Sequence, residues 1–426
     1  MKVVIINKSD STGGAAVVSA RLLRALCNLG VDAHMLVCEK LHDSGRVELA
    51  ASPSRIKRSF LAERLKIFLA NGLNRDNLFK VDTASDGLPL HRNRLVREAD
   101  VICLNWVNQG MLSLQGLREL LHLGKPVVWT MHDMWNFTGI CHHAGSCTRW
   151  RQTCGLCPFL GSAKSPDDIS LSVWNNKKIV YGQALRLAQV SGTRLHFVAV
   201  SNWLAGLAAG SPLMSEMPLS VIPNAFPVPD RPMREARANG RFHVLMGAAR
   251  LDDPVKGLPI LVEATRVLRD RWPDEAARIE LVTFGNVKDP AALDGIAVSH
   301  RHLGVVSGED RLRDVYLGGD AVVSTSLYET LPGTLVEGQV YGCIPVSFGR
   351  GGQADIIDHM QTGYIAAWSD DLPTAAARIA EGIVWAMRQS ADDIRARMYA
   401  SAKARFDAPV VAARYVGLFE QLLSRH

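Results

Sequence analysis

AFPVPDRPMREARANGRFHVLMGAAR, residues 225–250, changes character partway along. Its first part is dense in proline and charge and has no apolar periodicity, the composition of a linker. From His243 the run HVLMGAAR is continuously apolar, as expected of a strand buried on both faces. Similar runs lie upstream: VVII (3–6), HMLVC (34–38), DVICLNW (100–106), KPVVWT (125–130) and HFVAVS (196–201), with a helical pattern through AAVVSARLLRALCNLG. Downstream, RIELVTFG (278–285), DAVVSTS (320–326) and CIPVSFG (343–349) restart the series, with helical patterns through LPILVEATRVLRD and after Pro332. Apolar strands alternating with helices form parallel sheets covered on both faces. The expectation is an α/β protein of two Rossmann-like, doubly wound domains facing each other across a cleft. The first covers 1–225, a linker 226–241 and the second 242–408, while an amphipathic helix over 409–426 packs back on the first domain. A length of 426 residues exceeds one typical core and agrees with this division. Ligands of such sheets bind at the carboxyl ends of the strands, which makes the cleft the expected site.

Composition excludes several classes. Lys plus Arg number 48 against 42 Asp plus Glu, a dispersed surplus unlike the clustered basic face of a nucleic-acid binder. No apolar run approaches the roughly 18 residues of a membrane span. MKVVIINKSD lacks the apolar core and small-residue cleavage site of a signal peptide, which points to the cytoplasm. Eight cysteines in such a chain suggest reduced thiols or a metal site rather than disulfides.

YETLPGTLVEG, residues 328–338, joins the apolar run DAVVSTS to a helix and so belongs at a strand's carboxyl end. Pro332 and Gly333 keep the turn non-helical and admit a ligand close to the backbone, next to outward-pointing helix amides that favour anions. Glu329 and Glu337 can then line one pocket as acceptors for sugar hydroxyls. The competing reading makes Thr334 and Glu337 a capping box, with Glu329 facing solvent. Arg250 and Lys256, in GAARLDDPVKG, flank a loop after the first strand of the second domain. They can clamp an anionic group there, although each taken singly also fits an ordinary solvated loop. Gly13 and Gly14 follow the first strand and precede a helix, so their bare amides can close on an anion too; many strand–helix turns carry such a pair. His132 and Asp133 follow PVVWTM, where the histidine is either a site residue or one satisfied by its neighbour.

These pieces in this order, with YGCIPVSFGRGGQADIIDHMQTGYI after the glutamates, resemble the family 4 retaining glycosyltransferases of the GT-B fold over nearly the whole chain. Within that family it resembles bacterial exopolysaccharide and lipopolysaccharide enzymes with a cysteine-rich insert. The resemblance implies that Glu329 contacts donor-sugar hydroxyls and, with His132, belongs to the catalytic group. It further implies that Glu337 holds the ribose, that Leu331 and Pro332 contact the donor, and that Gly13, Gly14, Arg250, Lys256, Gly333 and Thr334 surround its phosphates. Asp133 would fix the tautomer of His132. Transfer would retain anomeric configuration, the leaving phosphate taking the acceptor's proton, with no catalytic cofactor beyond the nucleotide-diphosphate sugar; no carboxylate is identified as a nucleophile. The implied activity moves a hexose to a glycan or lipid-linked acceptor in surface polysaccharide synthesis, at the inner face of the cytoplasmic membrane. Variable loops at 80–95 and 136–170 are expected to recognise the acceptor. A glycoside hydrolase and a catalytically inactive zinc-stabilised scaffold are the alternatives.

Two features stand apart. CHHAGSCTRWRQTCGLCP spaces Cys141, Cys147, Cys154 and Cys157 compatibly with a structural zinc, against which stand plain reduced thiols and a redox role for CGLC. RIKRSFLAERLKIFLANGL (55–73) collects Ile56, Phe60, Leu61, Leu65, Phe68 and Leu69 on one helical side with basic residues around them. That suits a helix lying on an anionic membrane surface, and an ordinary core-facing helix equally.

Overall fold

The computed structural model describes residues 1–42, 44–232, 240–389 and 391–424. Of the expected linker, 233–239 lie outside the described residues. The chain forms two compact units: Met1–Ala225 together with Ala408–His426, and Phe226–Asp407.

The sheet of the first unit contains β1 (Lys2–Ile6), β2 (Asp32–Val37), β3 (Val47–Leu49), β4 (Val101–Leu104), β5 (Val127–Met131), β6 (Leu195–Ala199) and β7 (Leu219–Val221). Their order is β3-β2-β1-β4-β5-β6-β7, with every pairing parallel. β4 and β5 are buried throughout, which is why they are continuous apolar runs rather than alternating ones. The chain leaves β1 toward one edge and returns at β4 to build toward the other, so the order reverses between these two strands. Ser113, Asp168 and Ser201 cap helices between the strands through side-chain oxygens that accept backbone amides. The helix Ala408–Leu423 completes this unit. It buries Val411, Tyr415, Leu418 and Phe419 against the helix Gly14–Asn28 and the sheet, and the Tyr415 hydroxyl bonds Thr130 Oγ1 at 2.9 Å.

The second unit repeats the plan with β8 (Phe242–Arg250), β9 (Ile279–Asn286), β10 (Ser299–His302), β11 (Ala321–Ser324), β12 (Ile344–Phe348) and β13 (Tyr364–Ala366). The order is β10-β9-β8-β11-β12-β13, again parallel, reversing between β8 and β11. Both units are therefore doubly wound, and each reversal marks where a ligand crevice belongs. Among the described residues no helix is long and apolar enough to cross a membrane.

The helix Pro53–Ala70 departs from ordinary amphipathic packing. It buries Ser59, Glu63, Arg64 and Ile67, leaves Ile56, Phe60 and Phe68 half-buried and exposes Leu61, Leu65 and Leu69, so only part of the expected apolar side faces the core. Polar anchoring explains the inversion. Glu63 accepts hydrogen bonds from Thr83 N at 2.7 Å, Ser85 N at 3.0 Å and Asp86 N at 3.1 Å, and Arg64 pairs with Asp82 at 2.7 Å. Burial, with Asp82 close by, raises the Glu63 carboxyl above its ordinary value, while the amides and the Thr83 hydroxyl offset part of that rise.

Candidate active site

In the first unit the candidate residues follow β1, β4 and β5. Gly13 precedes the helix Gly14–Asn28 with φ +90°, which only glycine adopts readily. No side chain caps that helix, both glycines are exposed, and a Cβ on either would meet nothing within 4 Å. The leading amides of a helix lack intrahelical acceptors, so this turn is open to an anion.

His132 is the first residue past β5, and its Nε2 donates to Asn105 Oδ1 at 2.9 Å. Asn105 is the first residue past β4, so two adjacent strand ends meet here. Burial pushes the imidazole down to about 4, against a smaller opposing pull from Asp133, and the ring is neutral near pH 7. Asp133 behaves oppositely. Burial disfavours its charge, yet His142 and the Trp135 amide hold the carboxyl well below the ordinary range. Its Oδ2 accepts from Trp106 Nε1 at 2.9 Å and from His142 Nδ1 at 2.8 Å, and its Oδ1 from Trp135 N at 2.8 Å. Asn105 thus holds His132 through Nε2, while Asp133 ties the following loop together. Asn105 was missed in the sequence, although its place one residue beyond an apolar run was a usable signal.

That loop carries the cysteines. Cys141 and Cys157 are buried, Cys147 and Cys154 half-buried, and all four are free. Cys154 Sγ accepts from Gly139 N at 3.1 Å. Burial raises the Cys154 thiol to about 11 and the Cys157 thiol to about 12. Among the described residues no group of three or more His, Cys, Asp or Glu forms a set that could hold a metal ion. The expected zinc at Cys141, Cys147, Cys154 and Cys157 therefore finds no support, although the spacing alone allows tetrahedral ligation. Thiols held protonated are also the reverse of a redox-active pair, which needs a depressed pKa.

In the second unit Arg250 ends β8, its Nε 3.0 Å from Asp252 Oδ1. Lys256 closes the turn Pro254–Lys256, and its Nζ lies 2.5 Å from Glu329 Oε1. The turn is pinned to the end of β11, since Thr325 Oγ1 donates to Lys256 O at 2.9 Å and Leu327 N to Val255 O at 2.8 Å. Gly257 follows with φ +64°, where a Cβ would sit 2.2 Å from Thr325 O. Gly352 N donates to Glu329 O at 2.8 Å, and a Cβ on Gly352 would lie 2.0 Å from Thr330 O. Gly351 and Gly352 therefore press directly on the glutamate turn.

The helix Gly333–Val340 begins after Pro332, without a side-chain cap. Thr334 is its second residue rather than its cap, which removes the capping-box reading, and the Glu337 carboxylate instead accepts from Tyr316 Oη at 3.1 Å. Tyr316 had no local signal in the sequence. Leu331 and Pro332 are buried and shape the turn, whereas Gly333 and Thr334 are half-buried at the helix start. Lys256, Glu329 and an uncapped helix N-terminus thus share the carboxyl end of one sheet, a setting suited to a phosphate beside hydroxyl-bearing carbons.

Residues 243–384 match the family model Glycosyl transferases group 1. One relative, 25% identical over 358 residues that make up 81% of this chain and 82% of its own, is "Putative colanic acid biosynthesis glycosyl transferase WcaC" of Escherichia coli (strain K12). The pneumococcal O-GlcNAc transferase GtfA, solved in complex with UDP and GlcNAc, aligns with TM-score 0.64 at 11% identity, covering 99% of each chain. Anabaena Alr3699/HepE in complex with UDP-glucose aligns with TM-score 0.58 at 16% identity, covering 99% of this chain and 100% of that one. At such identities the likeness establishes the fold, which is the GT-B architecture expected from the sequence.

Proposed function

We propose that this chain, a glycosyltransferase by its group 1 domain at residues 243–384, moves a hexose from a nucleotide-diphosphate sugar to a glycan or lipid-linked acceptor in surface polysaccharide synthesis. The relative's name, a colanic acid biosynthesis enzyme, supports the pathway class, and the UDP complexes of similarly folded proteins support the donor class. The reaction is read as retaining and of family 4.

The observation that carries the reading is the Lys256–Glu329 pair beside the uncapped helix Gly333–Val340. An arriving diphosphate draws Lys256 from the carboxylate, with Arg250 and the helix amides as further partners; each charge-assisted contact is worth about 1.5–3 kcal/mol. Glu329, released from its cation, accepts from sugar hydroxyls, and Glu337 accepts from the ribose. The same reading gives Gly13 and Gly14 of the first unit to the diphosphate and His132 to the donor sugar. A neutral imidazole hydrogen-bonds there without adding charge, and with a pKa of about 4 it is no general acid near pH 7. The leaving phosphate takes the acceptor's proton on the face it departs from.

A hydrolase would need one of two carboxyls protonated as general acid. Glu329 instead faces the Lys256 ammonium at 2.5 Å, a cation placed for a phosphate, and this pairing supports transfer over hydrolysis. Thermal unfolding with UDP, GDP, ADP and CMP tests the proposal. One nucleotide at 100 times its Kd should add about 2.7 kcal/mol, and at the same concentration Arg250→Ala should cut the shift to about 0.3–1.3 kcal/mol. Failure of every nucleotide would return the hydrolase and inactive-scaffold readings. NMR of the product's anomeric linkage decides retention against inversion.

A further inference from the structure

Glu337 is met by a side chain from another helix. The helix Glu309–Leu317 is charged along most of its length and buries Tyr316, which is 1% exposed. Packing pins this residue closely. Phe284 of β9 meets its ring edge-on at 5.9 Å, Tyr341 stacks on it at 6.2 Å, and its backbone carbonyl accepts from Cys343 Sγ at 3.0 Å. Phe284 is itself seated on Gly247 of β8, where a Cβ would lie 2.1 Å from its ring. A ring held in this way has one place for its hydroxyl, and Tyr316 Oη donates there to Glu337 Oε2 at 3.1 Å. A phenylalanine would fill the same space. A hydroxyl carried into the interior is favourable only where it meets a partner, so the oxygen of Tyr316 serves the contact with Glu337 rather than the packing.

We propose that Tyr316 is a positioning residue of the nucleotide site: its hydroxyl holds the Glu337 carboxylate in the orientation that accepts from the ribose hydroxyls, so that the site selects a ribonucleotide sugar over a donor lacking them. The inference rests on the reading of Glu337 as the ribose acceptor. Glu337 stands half-buried in the second turn of the helix Gly333–Val340. A glutamate there has several rotamers, and ordering one of them on binding costs roughly a factor of 10 in affinity. The phenol orders it before the nucleotide arrives, which is preorganisation by a residue that never touches the ligand. Because the phenol donates, the carboxylate keeps only acceptor capacity, the complement of a ribose diol that donates.

The test is isothermal titration of the full chain with UDP, GDP and ADP and with their 2′,3′-dideoxy counterparts. Wild type should prefer the ribose form of the nucleotide it binds by roughly 10- to 150-fold, the worth of a hydrogen bond to a charged group. Tyr316→Phe should raise the Kd of the ribose form on the order of 10-fold and leave that of the dideoxy form unchanged. Glu337→Ala should erase the preference, and adding Tyr316→Phe to it should change neither Kd. A merely structural hydroxyl would instead weaken both forms in proportion. If wild type binds no nucleoside diphosphate, or binds both forms equally, the reading of Glu337 as ribose acceptor falls and this inference with it. If wild type discriminates and Tyr316→Phe discriminates as strongly, or loses both forms alike, only the role of Tyr316 is overturned. A Tyr316→Phe chain that fails to fold, by circular dichroism and Tm, overturns it as well, since the hydroxyl then serves the fold.

Discussion

Lys256→Met separates the two partners of the central ion pair. Lys256 and Glu329 are each about a quarter exposed, at 28% and 22%, so their mutual attraction is partly screened, and losing it should cost the fold on the order of 1 kcal/mol or less. Binding should suffer more. Removing one charge-assisted phosphate contact forfeits about 1.5–3 kcal/mol, a rise in nucleotide Kd of roughly 10- to 150-fold. The unpaired Glu329 then faces the diphosphate and adds repulsion, so Lys256→Met/Glu329→Gln should bind the nucleotide more tightly than Lys256→Met alone. Glu329→Gln by itself should leave free nucleoside diphosphate bound as well as, or better than, in the wild type, since it releases Lys256. It should nevertheless weaken the nucleotide sugar, whose hydroxyls lose an acceptor. Isothermal titration of both ligands against the four proteins completes the cycle. An unchanged nucleotide Kd in Lys256→Met, or equal losses for both ligands in Glu329→Gln, would refute the assignment.

Gly257→Ala should unfold about 1–3 kcal/mol more easily and weaken nucleotide binding with it, because its φ of +64° and the 2.2 Å approach to Thr325 O leave no room beside Lys256; urea titration and calorimetry measure the two effects. His132, at about 4 when folded against 6.5 ordinarily, is protonated first in the unfolded chain as pH falls, so its contribution to stability is full above about 6.5 and lost between there and about 4. Denaturant unfolding across that window should show a slope that His132→Gln reduces, and the rate of transfer should show no His132 ionisation between pH 5 and 8. Phe419→Ala should cost about 3–5 kcal/mol, read as a lowered unfolding midpoint of the first unit, since the ring is fully buried between the helix Gly14–Asn28 and the sheet.

What the sequence made visible follows physical locality. Strands buried on both faces, such as β4, β5 and β11, must be apolar runs, and they were readable as such. The edge strands were not: VEL, LSV and YIA are three residues long, and SHRH in β10 carries no apolar residue, because an edge has little core to face. Glu329, Lys256 and Gly333 could be placed from their positions at strand ends, but their partners could not. Tyr316 reaches Glu337 only through the packing of another helix, and Asn105 reaches His132 only because β4 and β5 are neighbours. The helix Pro53–Ala70 displays its apolar side in the sequence yet turns Leu61, Leu65 and Leu69 outward, since acceptors and donors at 82–86 hold Glu63 and Arg64 in. Similarly, cysteine spacing says which ligand sets are feasible, whereas the orientation of each sulfur is decided by the loop around it.

The first unit is discontinuous along the chain, because the helix Ala408–Leu423 is needed to cover the helix Gly14–Asn28 and part of the sheet. On a translating ribosome, that face stays uncovered until synthesis passes residue 423, some 200 residues after β7 ends at Val221. The second unit, by contrast, is one uninterrupted segment and can close as soon as it emerges. A stop codon after Asp407 would consequently spare the unit that carries Arg250, Lys256 and Glu329. It would strip the helix Gly14–Asn28 of the cover that Val411, Tyr415 and Phe419 supply, so that early termination makes a product prone to chaperone capture rather than a half-active enzyme.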